Sequence, residues 1–546
     1  MTMHTRTFPD NTFPCATLAE LLARQAAERP DQPLAIFPDQ SVDFGTLYRE
    51  ARALAKGLIA LGIKPGDHVG IFIPNHAHFL LAHFATQLAG GIGILLNARF
   101  KQHELRYAVP HADVRVLITT DSIDAHVNFA DVLNGAFPEL AGHKAAEPLS
   151  LEGAPLLRHV IRFGESKWDA ALGKDDLVAR GAAVTDEQLE AASAGRDPES
   201  VSVMIFTSGT TADPKACQLS HAGLQRAWRT YVRTVKYLPG EKVWVPMPFF
   251  HSGGIGLITC MTEVGGTLAT SPHFDPSIVM RMVRENHIEH LYPGFHTLAL
   301  PVLQDPAYDR DACSYIRSMV CVGPMGTQRK LQAMLPDHAP IMNLFGMSES
   351  SGLLLLADAN AEPELRLEAA GQPPIGVDIR IIDPETGREQ PAGVSGEIQF
   401  RGGGAFLGYY NNPAVTSATI TDGGWVRTGD LGRVDANGWL TFIGRLKDML
   451  KVGGENVAAA EIEAFLSGHP AIKFVQVVGK PDDRMTEVPV AFVELNPGQA
   501  LDFDALVTFC TGKIARFKIP VEMRIVNEWP MSATKVQKFK LKEQLL

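Results

Sequence analysis

The chain has 546 residues, 45% hydrophobic, 20% charged and 8% aromatic, too long for one ordinary core and enough for roughly three to four units, or one large composite body plus a small domain. Fifty Lys and Arg against 61 Asp and Glu give a net charge of −11, which leaves no global basic footprint for a nucleic-acid backbone. No apolar run approaches the ~20 residues that span a bilayer, so a soluble globular protein without a transmembrane segment is expected.

Six cysteines (Cys15, Cys217, Cys260, Cys313, Cys321, Cys510) are too sparse for a zinc knuckle or redox pair and read as reduced thiols. The first seventeen residues lack the apolar stretch of a signal peptide, so a cytoplasmic location is expected. Residues 17–30 then read as a helix with Leu18, Leu21, Leu22 and Ala26 on one face and Pro30 as its stop. Compact apolar segments at 34–37, 68–73 and 114–119 alternate with helical stretches near 45–62 and 76–89, the pattern of a parallel α/β sheet. Residues 138–200 show no strong period and read as helices and loops leading into a strand at 201–206.

From 391 the texture becomes Gly-rich β and predicts a barrel-like portion: a strand at 396–401, then a hairpin turning on Asp435-Ala-Asn-Gly438. After Arg445 the pattern is helix (457–467), strand (473–478), strand (488–494), helix (503–514) and strand (521–526), a second, α+β domain of about 100 residues. Residues 513–546 hold eight basic and three acidic side chains, while 447–546 as a whole balance at thirteen of each. The local excess predicts either a solvated helix face or a cationic lid for anionic ligands.

The most informative segment is Thr207-Ser-Gly-Thr-Thr-Ala-Asp-Pro-Lys-Ala216, directly after a strand. Its hydroxyls, glycine and Lys215 can present donors and a compact charge to phosphate oxygens, without the spacing of a Walker A loop. Phe345-Gly-Met-Ser-Glu349 groups an aromatic for base stacking with an oxygen ligand suited to Mg²⁺. Trp425-Val-Arg-Thr-Gly-Asp430 ends in an aspartate that can accept from ribose hydroxyls, and Gly444-Arg-Leu-Lys-Asp448 places Arg445 at the proposed junction of the two domains.

On these residues the chain resembles the adenylate-forming (ANL) superfamily, which holds the acyl-CoA synthetases, firefly luciferases and nonribosomal-peptide adenylation domains. The likeness follows the family's motif order over nearly the whole length. It implies a large N-terminal α/β body of several subdomains (1–446) and a small C-terminal domain (447–546) that rotates about a hinge at Lys447. It also implies that Thr207, Ser208, Gly209, Thr210, Thr211 and Lys215 hold the β- and γ-phosphates. Gly323 and Phe345 line the adenine site, Gly346 and Met347 also belong to the ATP/AMP-binding set, Ser348 and Glu349 hold Mg²⁺ and phosphate, and Asp430 takes the ribose with Arg445 close by. His251 falls near the carboxylate pocket, with Phe250, Gly253, Gly254 and Gly256 as its acyl-binding neighbours. Lys451, Gly453 and Gly454 fall where the thiol channel forms.

Three positions depart from the family pattern. Ala212 and Ala216 replace glycines of the phosphate loop. The C-terminal lysine motif is one residue short and lacks its glycine, so Lys535 is assigned the catalytic role, with Lys538 as the fallback.

The function implied is an AMP-forming acyl-CoA synthetase: ATP with Mg²⁺ activates a carboxylic acid, and CoA accepts the acyl group. A hydrophobic acid is favoured because no aspartate marks an ammonium site, with a medium- or long-chain fatty acid ahead of an aryl or cyclic one. An acyl-AMP ligase that loads a carrier protein, a luciferase-like oxidative enzyme and a non-catalytic nucleotide-binding protein stay open. Ser532-Ala-Thr-Lys535 formally satisfies S-x-x-K but lacks the partners of a serine hydrolase or transpeptidase. The expected partners are small molecules, with a homodimer allowed.

Overall fold

The computed structural model describes residues 14–207, 214–323, 325–453, 455–532 and 535–545. Two seven-stranded sheets form the centre of the large body. One runs in the order Ala171–Gly173, His159–Phe163, Val114–Thr120, His68–Phe72, Ile92–Leu95, Val201–Thr207 and Lys215–Ser220. The other runs Ile341–Met342, Ser318–Val322, His290–Phe295, Lys242–Trp244, Thr267–Ala269, Pro33–Ile36 and Ser41–Asp43. Each is parallel except for one antiparallel edge strand.

Parallel strands covered by helices on both faces carry nearly continuous apolar runs, and His68–Phe72 is buried at every position. The first helix, Leu18–Glu28, starts where expected because Thr17 and Glu20 close a reciprocal capping box. Residues 138–200 differ from expectation: they contain the strands His159–Phe163 and Ala171–Gly173 besides the helices Lys174–Gly181 and Asp186–Ser193. The first of these strands escaped notice because it buries His159 and Arg162. Arg162 is tolerated inside because it pairs with Asp124.

The Gly-rich region is a four-stranded antiparallel meander of Val377–Ile382, Gly396–Gly402, Val426–Val434 and Leu440–Arg445, with Gly371 bridging to Leu440 at its edge. The smaller C-terminal domain holds Glu455–Ala458, Met449–Val452, Thr486–Leu495 and Ile472–Asp482, with Glu522–Ile525 added parallel to Thr486–Leu495. It has its own apolar core around Leu450, Val457, Ile462, Val477, Val493 and Leu506. Its helix Ala459–Leu466 meets the meander where a side chain at Gly444 would stand 3.5 Å from Ala458 Cβ.

All six cysteines are free thiols, five of them buried. Among the described residues no helix is long and apolar enough to cross a membrane.

Candidate active site

Three of the sequence-predicted residues lie at or just beyond the carboxyl ends of parallel strands, where open α/β sheets place their ligands: Thr207 closes Val201–Thr207, His251 follows Lys242–Trp244 and Gly323 follows Ser318–Val322. Thr207 closes the strand Val201–Thr207 and pairs in register with Lys215 on the returning strand. Lys215 opens the antiparallel edge strand of that sheet, so both residues stand at the sheet edge. Ser208, Gly209, Thr210 and Thr211 lie outside the described residues, as do Ala212 and Gly454. The Lys215 ammonium stands over the ring of Tyr409, 5.2 Å from its centroid.

Residues 345–352 form a tight knot. Phe345 pairs with Leu355 across a short antiparallel ladder, and Ser348–Ser350 is one 3₁₀ turn. The turn is locked by Met347 N–H donating to Ser350 Oγ (3.0 Å) and Gly352 N–H donating to Met347 O (2.9 Å). Gly346 is required here, because a Cβ would stand 2.1 Å from the Gly352 carbonyl oxygen. The knot buries Glu349 to 8% exposure. Two groups hold Glu349: the Phe406 N–H donates to its carbonyl at 2.9 Å, and the Tyr409 hydroxyl donates to its Oε1 at 2.6 Å.

A buried carboxylate beside a serine hydroxyl is a hard oxygen donor set that suits Mg²⁺. That ion commonly takes one or two protein carboxylates and completes its shell with substrate phosphates and water. Among the described residues no cluster of three or more His, Cys, Asp or Glu offers a protein-only metal cage.

The meander supplies Asp430 and Arg445. Between the register pairs Glu397↔Leu431 and Gln399↔Arg427 one residue, Ile398, faces three, so Thr428-Gly-Asp430 bulges from the ladder. Gly429 takes φ +67°, a conformation that glycine adopts freely. Thr428 Oγ accepts from the Asp430 N–H at 3.0 Å. The bulge sets Asp430 at 3% exposure, with Arg445 Nε 3.0 Å from its carboxylate. Phe442 of the same sheet lies nearly parallel to Phe345, ring centroids 6.0 Å apart, which joins the meander to the knot.

On the acid side, His251 immediately precedes the helix Ser252–Val264 and its ring meets Phe250 at 4.8 Å. This segment is seated by buried Asn75, whose amide donates to Met247 O (3.0 Å) and accepts from Phe249 N–H (2.7 Å). A Cβ at Gly253 would stand 3.6 Å from Met247 Cε, an ordinary contact. Gly254 and Gly256 do not open space for a ligand. A Cβ at Gly254 would stand 2.2 Å from Pro248 O, and one at Gly256 would stand 1.8 Å from the Trp228 indole nitrogen. These two glycines let the helix pack against the body, and Trp228 in turn donates to Ser351 O in the knot at 2.8 Å.

Gly323 follows the strand Ser318–Val322, and a Cβ there would lie 2.8 Å from His296 Nδ1. Burial lowers the basicity of His296 despite its backbone contact with Val322. His296, Asn75, Tyr409 and Phe442 were missed in the sequence. Only Tyr409, one of two adjacent tyrosines in a Gly-rich stretch, carried even a compositional signal.

In the C-terminal domain, Lys447 is exposed in the single 3₁₀ turn Leu446–Asp448. Lys451 is exposed on the hairpin Met449–Val452/Glu455–Ala458, which turns through Gly453 at φ +61°. Lys535 lies on the short strand Lys535–Val536, paired with Met531–Ser532. Lys538, the fallback, is engaged within its own domain: its ammonium pairs with Glu463 Oε1 at 2.6 Å, and both side chains are mostly buried. The cationic lid is also trimmed, because Lys518, Arg524, Lys538 and Lys542 are all paired with glutamates of the same domain.

A family model described as AMP-binding enzyme matches residues 22–410, and one described as AMP-binding enzyme C-terminal domain matches residues 461–535. The protein named "Putative acyl-CoA synthetase YngI" of Bacillus subtilis (strain 168) is 32% identical over 541 residues, covering 97% of each chain. The medium-chain acyl-CoA ligase ACSF2, mitochondrial, of Bos taurus is 29% identical over 554 residues, covering 97% of this chain and 87% of that one. The crystal structure of the anthranilate CoA ligase AuaEII in complex with anthranoyl-AMP has the same fold, with a TM-score of 0.84 at 24% identity and 98% of both chains covered. With its motifs in family order, its fold shared and most of its length matched, the chain belongs to the AMP-binding enzymes of the adenylate-forming superfamily.

Proposed function

We propose that the protein is an AMP-forming acid:CoA ligase acting on a hydrophobic carboxylic acid, with medium-chain fatty acids as the first substrates to test. The observation that supports this reading is a chain of contacts linking three groups. These are the phosphate hairpin with Lys215, the buried Glu349 and the Asp430–Arg445 pair, tied together by Tyr409 and by the Phe345–Phe442 contact. The names of the YngI and ACSF2 relatives support the ligase class, and that of ACSF2 supports medium chains.

In the first half-reaction an oxygen of the acid attacks the α-phosphorus of ATP, and pyrophosphate leaves. Phe345 stacks on the base, Asp430 accepts from the ribose hydroxyls, and Arg445 orients Asp430. Thr207 and Lys215, together with Ser208, Gly209, Thr210 and Thr211, orient the leaving pyrophosphate. Glu349 and Ser348 would hold Mg²⁺, which when bound offsets phosphate charge. Lys535 bridges the attacking carboxylate and the α-phosphate, stabilising charge as it moves. His251 and Phe250 border the acid. In the second half-reaction the CoA thiol attacks the acyl carbonyl and AMP leaves. For this the domain 447–546 turns about Lys447 and carries the Lys451–Gly453 hairpin toward the thiol.

A pyrophosphate-release screen with ATP, Mg²⁺, CoA and a panel of fatty, cyclic and aromatic acids tests the reading. Release that needs an acid, with AMP and an acyl-CoA as products, is expected, strongest for medium chains. An aromatic optimum would move the substrate class, and no acid-dependent release across the panel would overturn the ligase reading.

A further inference from the structure

The segment 404–410 lies between the phosphate hairpin and the knot that carries Glu349, and it is bonded to both. On one side Leu407 N–H donates to Gln218 O at 2.9 Å, Gln218 N–H to Gly408 O at 3.0 Å and Tyr410 N–H to Ala216 O at 2.8 Å, with Cys217 and Tyr409 forming an antiparallel bridge. On the other side Phe406 N–H donates to Glu349 O at 2.9 Å, and Ser351 Oγ donates to Gly404 O at 2.7 Å. The stretch is a splint across the two elements that must present ATP's phosphates and the metal carboxylate at a fixed spacing.

One side chain of the splint touches both functional groups. Tyr409, 7% exposed, offers its ring face to the Lys215 ammonium at 5.2 Å and its hydroxyl to Glu349 Oε1 at 2.6 Å. That O–H···O separation is in the range of charge-assisted bonds. A carboxylate has two oxygens with about four acceptor sites, so a donor fixed on Oε1 sets the plane in which Oε2 is presented.

We propose that Tyr409 is a positioning residue: it orients the Glu349 carboxylate toward a divalent cation bound with ATP and ties that orientation to the phosphate hairpin through Lys215. This rests on the reading of Glu349 as the metal-facing group. Partners that orient a metal-binding side chain commonly carry a 10–100-fold share of metal affinity, and that loss is expected when the hydroxyl goes.

Tyr409→Phe removes one oxygen and keeps the ring under Lys215. Two affinities distinguish orientation from support of the fold. Mn²⁺ binding is followed by electron paramagnetic resonance in the presence of α,β-methylene-ATP, and binding of the same analogue in EDTA is followed by calorimetry. The variant is expected to lose Mn²⁺ affinity by about 10–100-fold while binding the metal-free analogue as wild type does. Unchanged Mn²⁺ affinity overturns the proposal. An equal loss in both arms also overturns it, since the tyrosine then only supports the fold. If Tyr409→Phe does not fold, Glu349→Asp, which draws the carboxylate back from the phenol by one methylene, is expected to show the same metal-selective loss, and wild-type Mn²⁺ affinity in it overturns the proposal. The two readings fail differently. Glu349→Gln with wild-type Mn²⁺ affinity removes the basis for Tyr409's role, whereas a wild-type protein that binds Mn²⁺ with the analogue but activates no acid faults the proposed reaction alone.

Discussion

Arg445 Nε lies 3.0 Å from Asp430 Oδ1, between residues directly opposite one another on adjacent antiparallel strands. The pair is asymmetric: the aspartate side chain is 4% exposed and the arginine 40%. Arg445 is therefore a hydrated cation that orients a buried acceptor. Losing Asp430 strands no buried charge.

Asp430→Asn is accordingly expected to affect nucleotide binding far more than folding. Hydrogen bonds to charged groups contribute about 1.5–3 kcal/mol, so KM for ATP should rise by roughly 10–100-fold. Unfolding free energy should change by no more than about 1 kcal/mol, as for other partly solvated ion pairs. Steady-state kinetics and chemical denaturation of the same preparation check both; a large loss of stability with unchanged KM contradicts the assignment.

Lys535→Ala is expected to slow acyl-adenylate formation by about 10²–10³ and to leave CoA acylation from synthetic acyl-adenylate near wild type. Lys538→Ala differs in kind. It leaves Glu463, which also accepts from Val477 N–H at 2.7 Å, without its ammonium, so its effect should appear in the stability of the C-terminal domain. Rapid-quench assays of the two half-reactions, with thermal melts, separate the two lysines.

Lys447→Pro tests the hinge. The residue is exposed in a single 3₁₀ turn that runs into extended backbone at Met449 (φ −70°, ψ 131°). Proline there fixes φ and also restricts Leu446. A domain that must turn to present the thiol channel should then lose thioester formation by about 10² while adenylation is spared. Equal loss of both half-reactions would place Lys447 outside the hinge.

His83 gives a pH prediction. It is 0% exposed, its ring nitrogens have no hydrogen-bond partner among the described residues, and it packs on Phe79 and Phe84. Burial lowers its pKa from 6.5 to about 3. Below about pH 6.5 the unfolded chain takes up a proton that the folded chain refuses. The stability tied to neutral His83 is thus present above that pH and is lost progressively as pH falls toward 3. His83→Leu should shrink the loss between pH 7 and pH 5 by up to about 2 kcal/mol, measured as unfolding midpoints at the two pH values. An unchanged pH dependence would show that the ring is not held neutral.

The residues by themselves determined the elements with strong local signals and the order of the motifs. The first helix, the Asn-Gly hairpin and the apolar runs expected at 68–73 and 201–206 appear within a residue or two of where the pattern put them, because short-range sterics and burial on both faces leave few alternatives. Tertiary structure alone decided what depends on a partner distant in the chain. A strand that buries His159 and Arg162 is accommodated because Asp124 meets Arg162 and strands pair with it on both sides. Gly254 and Gly256 look like room for a ligand until Pro248 and Trp228 are seen to fill it. Lys535 and Lys538 are equivalent as letters, but Glu463, 75 residues away, holds one of them. Tyr409, 60 residues from Glu349, is brought to it by the pairing of its segment with Ala216–Gln218, which no local pattern encodes.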